Sequence, residues 1–160
     1  MSVYLEDLAV GQVYESGTVA ITADGIKSFA REFDPQPFHL DEEAAKGTIF
    51  AGLAASGWYT ASLTMRLLVT GHLHIAGGLV GAGVEEIRWP RPVRPGDVLR
   101  ARSEVFHVRV SQSRPDRGIV QMRMTTLNQD DHIVQMMVAN LVVPRRPVDS
   151  TPLAPESPPQ

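Results

Sequence analysis

The chain has 160 residues, of which 43% are hydrophobic and 21% charged, a composition typical of one globular domain. The formal net charge is −3 and no basic run appears, so the sequence does not predict a nucleic-acid partner. No apolar stretch is long enough to span a membrane, and the N-terminus lacks a signal-peptide pattern. The chain contains no cysteine, which excludes disulfides and thiolate sites. We therefore expect a cytoplasmic protein with no membrane partner.

The N-terminal third of the chain predicts one strand and two helices. Residues 12–22 are rich in β-branched side chains and predict a strand with a bulge at Gly17. An apolar stripe at helical spacing predicts a helix that is capped by Thr22 and ends near Phe33. The sequence DEEAAK, residues 41–46, predicts a short second helix.

The remainder of the domain predicts a long buried helix followed by four strands. Residues 53–71 are apolar on nearly every side of a helix and end with a glycine. The strands are predicted by alternation or by β-branched residues, over residues 79–91, 97–110, 118–129 and 132–143. Short turns between them predict an α+β fold, with an antiparallel sheet around one long central helix.

The C-terminal end has a different composition. Residues 144–160 contain six prolines and few large apolar side chains. This pattern predicts a domain over residues 1–147 and a mobile tail over residues 148–160.

The stretch FDPQPFH is the best candidate for a chemical site. Asp34 follows the first predicted helix, and His39 comes five residues later, after two prolines that favour an extended segment. Taken alone, Asp34 is an ordinary turn starter and His39 an ordinary loop histidine. Together they predict an acid–base pair. A carboxylate at a helix C-terminus opposes the helix dipole, so we expect a raised pKa for Asp34.

A second candidate element lies where the long helix is predicted to begin. The first N–H groups of a helix have no partner within the helix, and Gly52 would let a carbonyl oxygen approach them closely. This arrangement predicts an oxyanion site. His72 and His74 lack a third ligand nearby, so no metal site is predicted.

Three segments together carry a resemblance to a known family. DPQPFHLDEEAA, residues 34–45, resembles the hydratase signature of the MaoC-like dehydratases, which include the (R)-specific enoyl-CoA hydratases. FAGLAASGWYTASLTMRLLV, residues 50–69, and WPRPVRPGDVL, residues 89–99, are similar to later parts of the same family. The resemblance extends over residues 10–144.

The resemblance implies a hot-dog fold and hydration of a trans-2-enoyl-CoA, or the reverse dehydration of a (3R)-3-hydroxyacyl-CoA. By motif position it implies that Asp34 and His39 are the catalytic pair and that Gly52 supplies the oxyanion amide. The family frequently has Asn where this chain has Gln36. No metal or redox cofactor is implied, because the thioester itself acts as the electron sink.

The resemblance also implies an acyl-CoA substrate and at least a homodimer. We expect Gln36, Phe38, Leu53 and Trp58 to form the substrate-binding surface. Two alternatives remain open: a thioesterase of the same fold, and an acyl-CoA-binding protein without catalytic activity.

Overall fold

The computed structural model describes residues 2–147, so the predicted tail over residues 148–160 lies outside the described residues. The helices are α1 (Ala23–Phe33), α2 (Pro37–Leu40), α3 (Glu42–Lys46) and α4 (Gly57–Thr70). The strands are β1 (Val13–Ala20), β2 (Val80–Arg88), β3 (Val98–Val110), β4 (Arg117–Leu127) and β5 (Ile133–Pro144). A short 3-10 turn, Leu5–Asp7, precedes β1. In the part of the chain described, no helix is long and apolar enough to cross a membrane.

The five strands form one antiparallel sheet in the order β1-β3-β4-β5-β2. This confirms the prediction of one early strand and four later ones. The pairing of β1 with β3 shifts register between Glu15 and Thr18, which confirms the bulge predicted at Gly17. Both edge strands, β1 and β2, have only one neighbour within the described residues.

One face of α4 lies in the hydrophobic core, as expected for the predicted α+β fold. Its buried residues repeat at helical spacing and are Thr60, Leu63, Thr64, Leu67 and Leu68. On the sheet, alternate residues of β4 and β5 are buried, because successive side chains of a strand point to opposite faces.

The prediction for α4 was wrong in two respects. The helix begins at Gly57 instead of residue 53, because Ser56 caps it by accepting a hydrogen bond from the Trp58 N–H at 3.2 Å. It is also not buried on all sides, since Trp58, Met65 and Val69 are exposed to 60%, 44% and 53%. The described chain therefore leaves an apolar face of α4 uncovered.

Polar side chains connect α4 to the sheet at the centre of the core. Thr64 and Thr126 are fully buried, and their hydroxyl oxygens lie 2.7 Å apart. The buried Gln135 donates to the Thr64 hydroxyl at 3.2 Å and accepts from the Trp89 indole N–H at 2.9 Å. Buried polar groups are expensive when unpaired, so this network fixes the contact between helix and sheet.

The segment between α1 and α4 is partly as predicted. Thr22 caps α1 through the Gly25 N–H at 3.0 Å, and α1 ends at Phe33, both as expected. The two prolines do not hold the whole motif extended, however. Pro37 is the first residue of α2, a position that suits proline because its missing N–H would have no helical partner there.

The C-terminal end of β5 is tied to the N-terminal 3-10 turn by ion pairs. Arg145 Nε lies 2.8 Å from the Glu6 carboxylate, which also accepts from the Arg146 backbone N–H at 3.0 Å. Arg146 also pairs with Asp7 at 2.7 Å. The Arg145 and Arg146 hydrogen bonds lower the pKa of Glu6 to about 2. The ionised Glu6 carboxylate therefore stabilises the fold at any pH above 4.5, the ordinary pKa of this group. This contribution is lost as the pH falls toward the folded-state pKa of about 2.

Two C-terminal truncations test these contacts. Ending the chain after Pro147 should leave the melting temperature and fold nearly unchanged, because residues 148–160 carry little apolar area. Ending it after Pro144 should lower the melting temperature near neutral pH, because Arg145 and Arg146 are lost. Thermal unfolding followed by circular dichroism measures both. Equal melting temperatures for the two truncations would show that the ion pairs contribute nothing.

Candidate active site

Asp34 lies where α1 ends and where the N-terminus of α4 approaches. It is the C-cap of α1, with a backbone that has left the helical region. Its Oδ2 accepts a hydrogen bond of 2.6 Å from the hydroxyl of Ser56, the N-cap of α4. Its Oδ1 accepts a hydrogen bond of 2.7 Å from the side-chain amide of Gln36. Both carboxylate oxygens are therefore held by neutral donors.

His39 is buried in α2, and its ring is fixed by a backbone carbonyl. Its Nδ1 lies 2.6 Å from the carbonyl oxygen of Ala54, and its exposure is 4%. A carbonyl oxygen only accepts hydrogen bonds, so Nδ1 must carry the proton. In the neutral ring, Nε2 is therefore the unprotonated nitrogen and presents a lone pair.

The two side chains meet across a short gap. His39 Nε2 lies 3.3 Å from Asp34 Oδ2. When the imidazole is neutral, both atoms are acceptors, so they cannot hydrogen-bond to each other directly. A small molecule with two O–H donors that lies beside the two atoms can donate one hydrogen bond to each of them. A single water molecule has this chemistry.

The environment of Asp34 favours its ionised form. Burial alone would raise the pKa of Asp34, but the Ser56 and Gln36 hydrogen bonds and the nearby His39 lower it below the ordinary value of 3.8. The predicted raised pKa was therefore wrong. The sequence revealed the C-terminus of α1 but not that Asp34 also lies beside the N-terminus of α4, where a negative charge is favoured.

The pair lines a cavity of about 580 Å³. Its aromatic lining residues are Phe38, Phe50, Trp58 and Trp89. The cavity also includes Gln36, so three of the four predicted substrate-binding residues border it. The fourth, Leu53, does not line it and is 5% exposed in the core.

The aromatic side chains pack tightly around the pair. The Phe38 ring contacts the His39 ring edge-on at 4.5 Å and the Phe50 ring at 5.0 Å between centroids. Trp89 lies over Gly57, where an added Cβ atom would approach its ring to 2.6 Å. A side chain at the first position of α4 would therefore have to displace the Trp89 ring.

Gly52 does not lie at the N-terminus of α4, so that part of the oxyanion prediction was wrong. Four residues, 53–56, separate it from the helix. Residues 54 and 55 instead hydrogen-bond to distant backbone, since the Ala54 N–H donates to Phe38 O at 3.2 Å and the Ala55 N–H to Val93 O at 2.9 Å. The backbone N–H of Gly52 has no hydrogen-bond acceptor among residues 2–147.

Sequence reasoning missed three residues of this region. Ser56 contacts the carboxylate directly, and its position before an apolar helical run is a cap signal that could have located it. Trp89 and Arg94 come from a distant segment, and no local pattern links them to the Asp34 motif. In residues 2–147, no group of three or more His, Asp or Glu side chains is placed to hold a metal ion.

Comparison with known proteins places the chain in a family. Residues 7–128 match the model of the MaoC like domain. The chain belongs to the MaoC-like dehydratase family. The MaoC-like dehydratase from Rhodospirillum rubrum, known from a crystal structure, is 54% identical in sequence to this chain, with a TM-score of 0.89. The match covers 92% of this chain and 100% of that chain.

Two more distant solved structures share this fold. The R-hydratase PhaJ1 from Pseudomonas aeruginosa is 27% identical in sequence to this chain, with a TM-score of 0.70. The match covers 99% of this chain and 97% of that chain. A Mycobacterium tuberculosis protein with a double hotdog fold is 19% identical, with a TM-score of 0.74, and covers 99% of this chain and 47% of that one. This MaoC-like chain therefore has the predicted hot-dog fold.

The lowered pKa of Asp34 predicts how stability depends on pH. Because the folded state holds Asp34 below 3.8, the ionised carboxylate stabilises the fold above that pH, and the contribution is lost as the pH falls through the folded value. Asp34→Asn should therefore lower the melting temperature near neutral pH, and the difference from wild type should narrow below pH 3.8. Thermal unfolding at both pH values measures this. An equal or higher melting temperature for Asp34→Asn near neutral pH would contradict it.

Proposed function

We propose that this protein catalyses the reversible addition of water to a trans-2-enoyl-CoA, giving a (3R)-3-hydroxyacyl-CoA. The observation that carries the proposal is the Asp34–His39 pair, in which two acceptors 3.3 Å apart share one face of a cavity. Membership of the MaoC-like family and likeness to an R-hydratase support it. The stereochemistry is inferred from that likeness.

In the proposed reaction, one water donates a hydrogen bond to Asp34 and one to His39 Nε2. Both bonds orient the oxygen lone pair toward the substrate. As the oxygen attacks Cβ, Asp34 accepts a proton, and the electrons of the double bond move toward the thioester carbonyl. A proton held by the pair then reaches Cα, so that the elements of one water are added. We assign Asp34 as the main base and His39 as the residue that holds the water and shares the proton.

The thioester oxygen becomes negatively charged in the transition state and needs a hydrogen-bond donor. We propose the Gly52 N–H for this role, since no acceptor among residues 2–147 uses it and Phe50, two residues before it, lines the cavity, although Gly52 itself does not. A donor aimed at a developing oxyanion typically contributes about 10²–10³-fold to the rate. Gln36, Phe38 and Trp58 are proposed to contact the substrate, because they line the cavity.

A hot-dog thioesterase is the second candidate, because a water activated by Asp34 could also attack the carbonyl carbon. The presence of two acceptors favours the hydratase, since Asp34 and His39 can hold the attacking water together, whereas a thioesterase needs only one general base. An acyl-CoA-binding protein without activity is a third candidate. It would not require the His39 proton to be fixed by the Ala54 carbonyl.

Incubation with crotonyl-CoA discriminates among these functions. A hydratase removes the ultraviolet absorbance of the conjugated double bond without releasing free thiol, and chiral analysis identifies a (3R) product. A thioesterase releases thiol. Binding without either change, across a panel of enoyl-CoA chain lengths, would favour the binding protein.

Substitution of the catalytic pair tests the mechanism. Asp34→Asn and His39→Gln should each lower kcat by about 10²–10⁴-fold, the usual contribution of a general acid–base group. KM should change little, because neither side chain is proposed to hold the CoA moiety. The double variant should fall by far less than the product of the two single effects, since both residues act on one water. Steady-state kinetics measure this, and near wild-type turnover by Asp34→Asn would overturn the assignment.

We also propose that two copies of the chain pair through α4 and β2. The uncovered face of α4 exposes Trp58, Met65 and Val69, and the edge strand β2 exposes Val80 and Val84. An unpaired strand edge beside an apolar patch favours association, because both features are costly in water. The apolar cavities along this face share Met65, Val84 and Met137, so the partner would cover one continuous groove.

A charge placed on this face should disrupt the assembly. We expect wild type to scatter light as at least twice the monomer mass of 17.5 kDa at micromolar concentration. Val84→Asp should shift the protein toward monomer, because it places a carboxylate in the apolar groove. Val110→Asp is the matched control, as Val110 is exposed to a similar extent, 49% against 56%, but lies at the end of β3. A monomeric wild type would refute the proposed pairing.

A further inference from the structure

Three carbonyl oxygens of the segment that contains Gly52 point at one guanidinium group. Arg94 Nη1 donates to the carbonyls of Gly52 at 2.8 Å and Leu53 at 3.1 Å, and Nη2 donates to the carbonyl of Phe50. The described partners of the guanidinium are thus all backbone oxygens of residues 50–53. A planar guanidinium has five N–H donors in a fixed geometry, so it can orient several carbonyls at once.

These bonds fix the peptide groups on both sides of Gly52. The Phe50–Ala51 peptide is held at both ends, by Arg94 at its oxygen and by the Thr48 carbonyl at its N–H. The Leu53–Ala54 peptide is likewise held by Arg94 and by the Phe38 carbonyl. The Ala51–Gly52 peptide, which carries the Gly52 N–H, is flanked by the Phe50–Ala51 and Gly52–Leu53 peptides, and Arg94 holds the carbonyl oxygens of both.

The backbone of Arg94 is itself held rigidly. The Asp97 N–H donates to the Arg94 carbonyl at 3.1 Å, which closes a four-residue turn with Gly96 at a φ of 91°. The buried Asp97 accepts from the Arg94 N–H at 2.8 Å and from the Gln129 side chain at 3.0 Å. The guanidinium therefore projects from a preorganised support.

Residues 50–53 would not readily adopt their backbone conformation without contacts from the rest of the protein. Ala51 has a φ of 52°, in the left-handed region that residues other than glycine seldom occupy. Backbone of this kind persists when surrounding contacts over-determine it. Arg94 supplies such contacts immediately before and after Ala51.

We propose that Arg94 is a positioning residue for the proposed hydration. It holds the Gly52 N–H in the orientation in which it can donate to the thioester oxygen, and it brings a positive charge next to the Gly52 carbonyl. Arg94 Nη1 lies 3.3 Å from the position that a Cβ atom at Gly52 would occupy, so the guanidinium packs directly against the Gly52 backbone. This inference rests on the proposed hydratase function.

Three variants at Arg94 and one control test the inference. Arg94→Met keeps much of the side-chain volume but removes the charge and donors, Arg94→Lys keeps the charge but not the fork, and Arg94→Ala opens a space for added guanidinium. Arg100→Ala is the control, because Arg100 is also half-buried and pairs with Glu15 and Asp131 instead of with residues 50–53.

With crotonyl-CoA, Arg94→Met and Arg94→Ala should lower kcat by about 10²–10³-fold, with KM changed much less, because the lost interaction acts on the transition state. Arg94→Lys should retain more activity than Arg94→Met. Guanidinium chloride at a few millimolar should restore part of the kcat of Arg94→Ala, whereas urea should not. Arg100→Ala should keep wild-type kcat and show no response to guanidinium.

A kcat of Arg94→Met within about threefold of wild type would overturn the inference while leaving the hydratase proposal intact. A loss of activity that merely follows a loss of folded protein, without guanidinium rescue, would also overturn it. If Arg94→Ala and Arg94→Met do not fold, Arg94→Lys decides, and full kcat in that variant would show that the fork geometry is not needed. A wild-type chain that hydrates no enoyl-CoA would overturn the proposed function itself and this inference with it.

Discussion

The burial of one face of α4 against the sheet is the constraint on which the candidate site depends. Leu63, Leu67 and Leu68 lie in the core, and each contributes about 1.5–3 kcal/mol on burial. This packing holds α4, and with it the Ser56 cap at its N-terminus, in a fixed position against the sheet. Ser56 then serves two purposes, since its oxygen accepts from the helix N–H of Trp58 and its hydroxyl donates to Asp34. The hydrophobic core thus places a polar donor on the proposed catalytic carboxylate.

Asp34 lies between two helix ends whose effects on its charge are opposite. The C-terminus of α1 disfavours a carboxylate, and the N-terminus of α4 favours one. Direct hydrogen bonds from Ser56 and Gln36 add to the second effect, so the ionised form prevails. The resulting base is weak but fully charged at neutral pH, which suits a role in which it orients water as well as deprotonating it.

Local patterns were sufficient to predict most helices and strands. Thr22 caps α1 as its position indicated, α3 lies within the predicted residues 41–46, and β3–β5 follow the alternation of the sequence. Residues 47–56 could not be predicted in the same way. Their conformation depends on bonds to Phe38, Val93 and Arg94, which lie far away along the chain. Asp34 and His39 could be identified because their motif is local in sequence. The N-terminus of α4 beside them was misplaced because it follows this segment.

The hydrogen bonds among Thr64, Thr126 and Gln135 have a consequence for how α4 can move. A helix packed only by leucines could slide along the sheet in small steps, because apolar contacts are not directional. Displacing α4 by one turn, about 5.4 Å, would separate the threonine hydroxyls that now lie 2.7 Å apart. Each buried polar group left unpaired would cost about 1–3 kcal/mol, so the helix has one favoured axial position. The axial position of Ser56, at the N-terminus of α4, is therefore fixed by polar contacts in the middle of the helix as well as by its leucines.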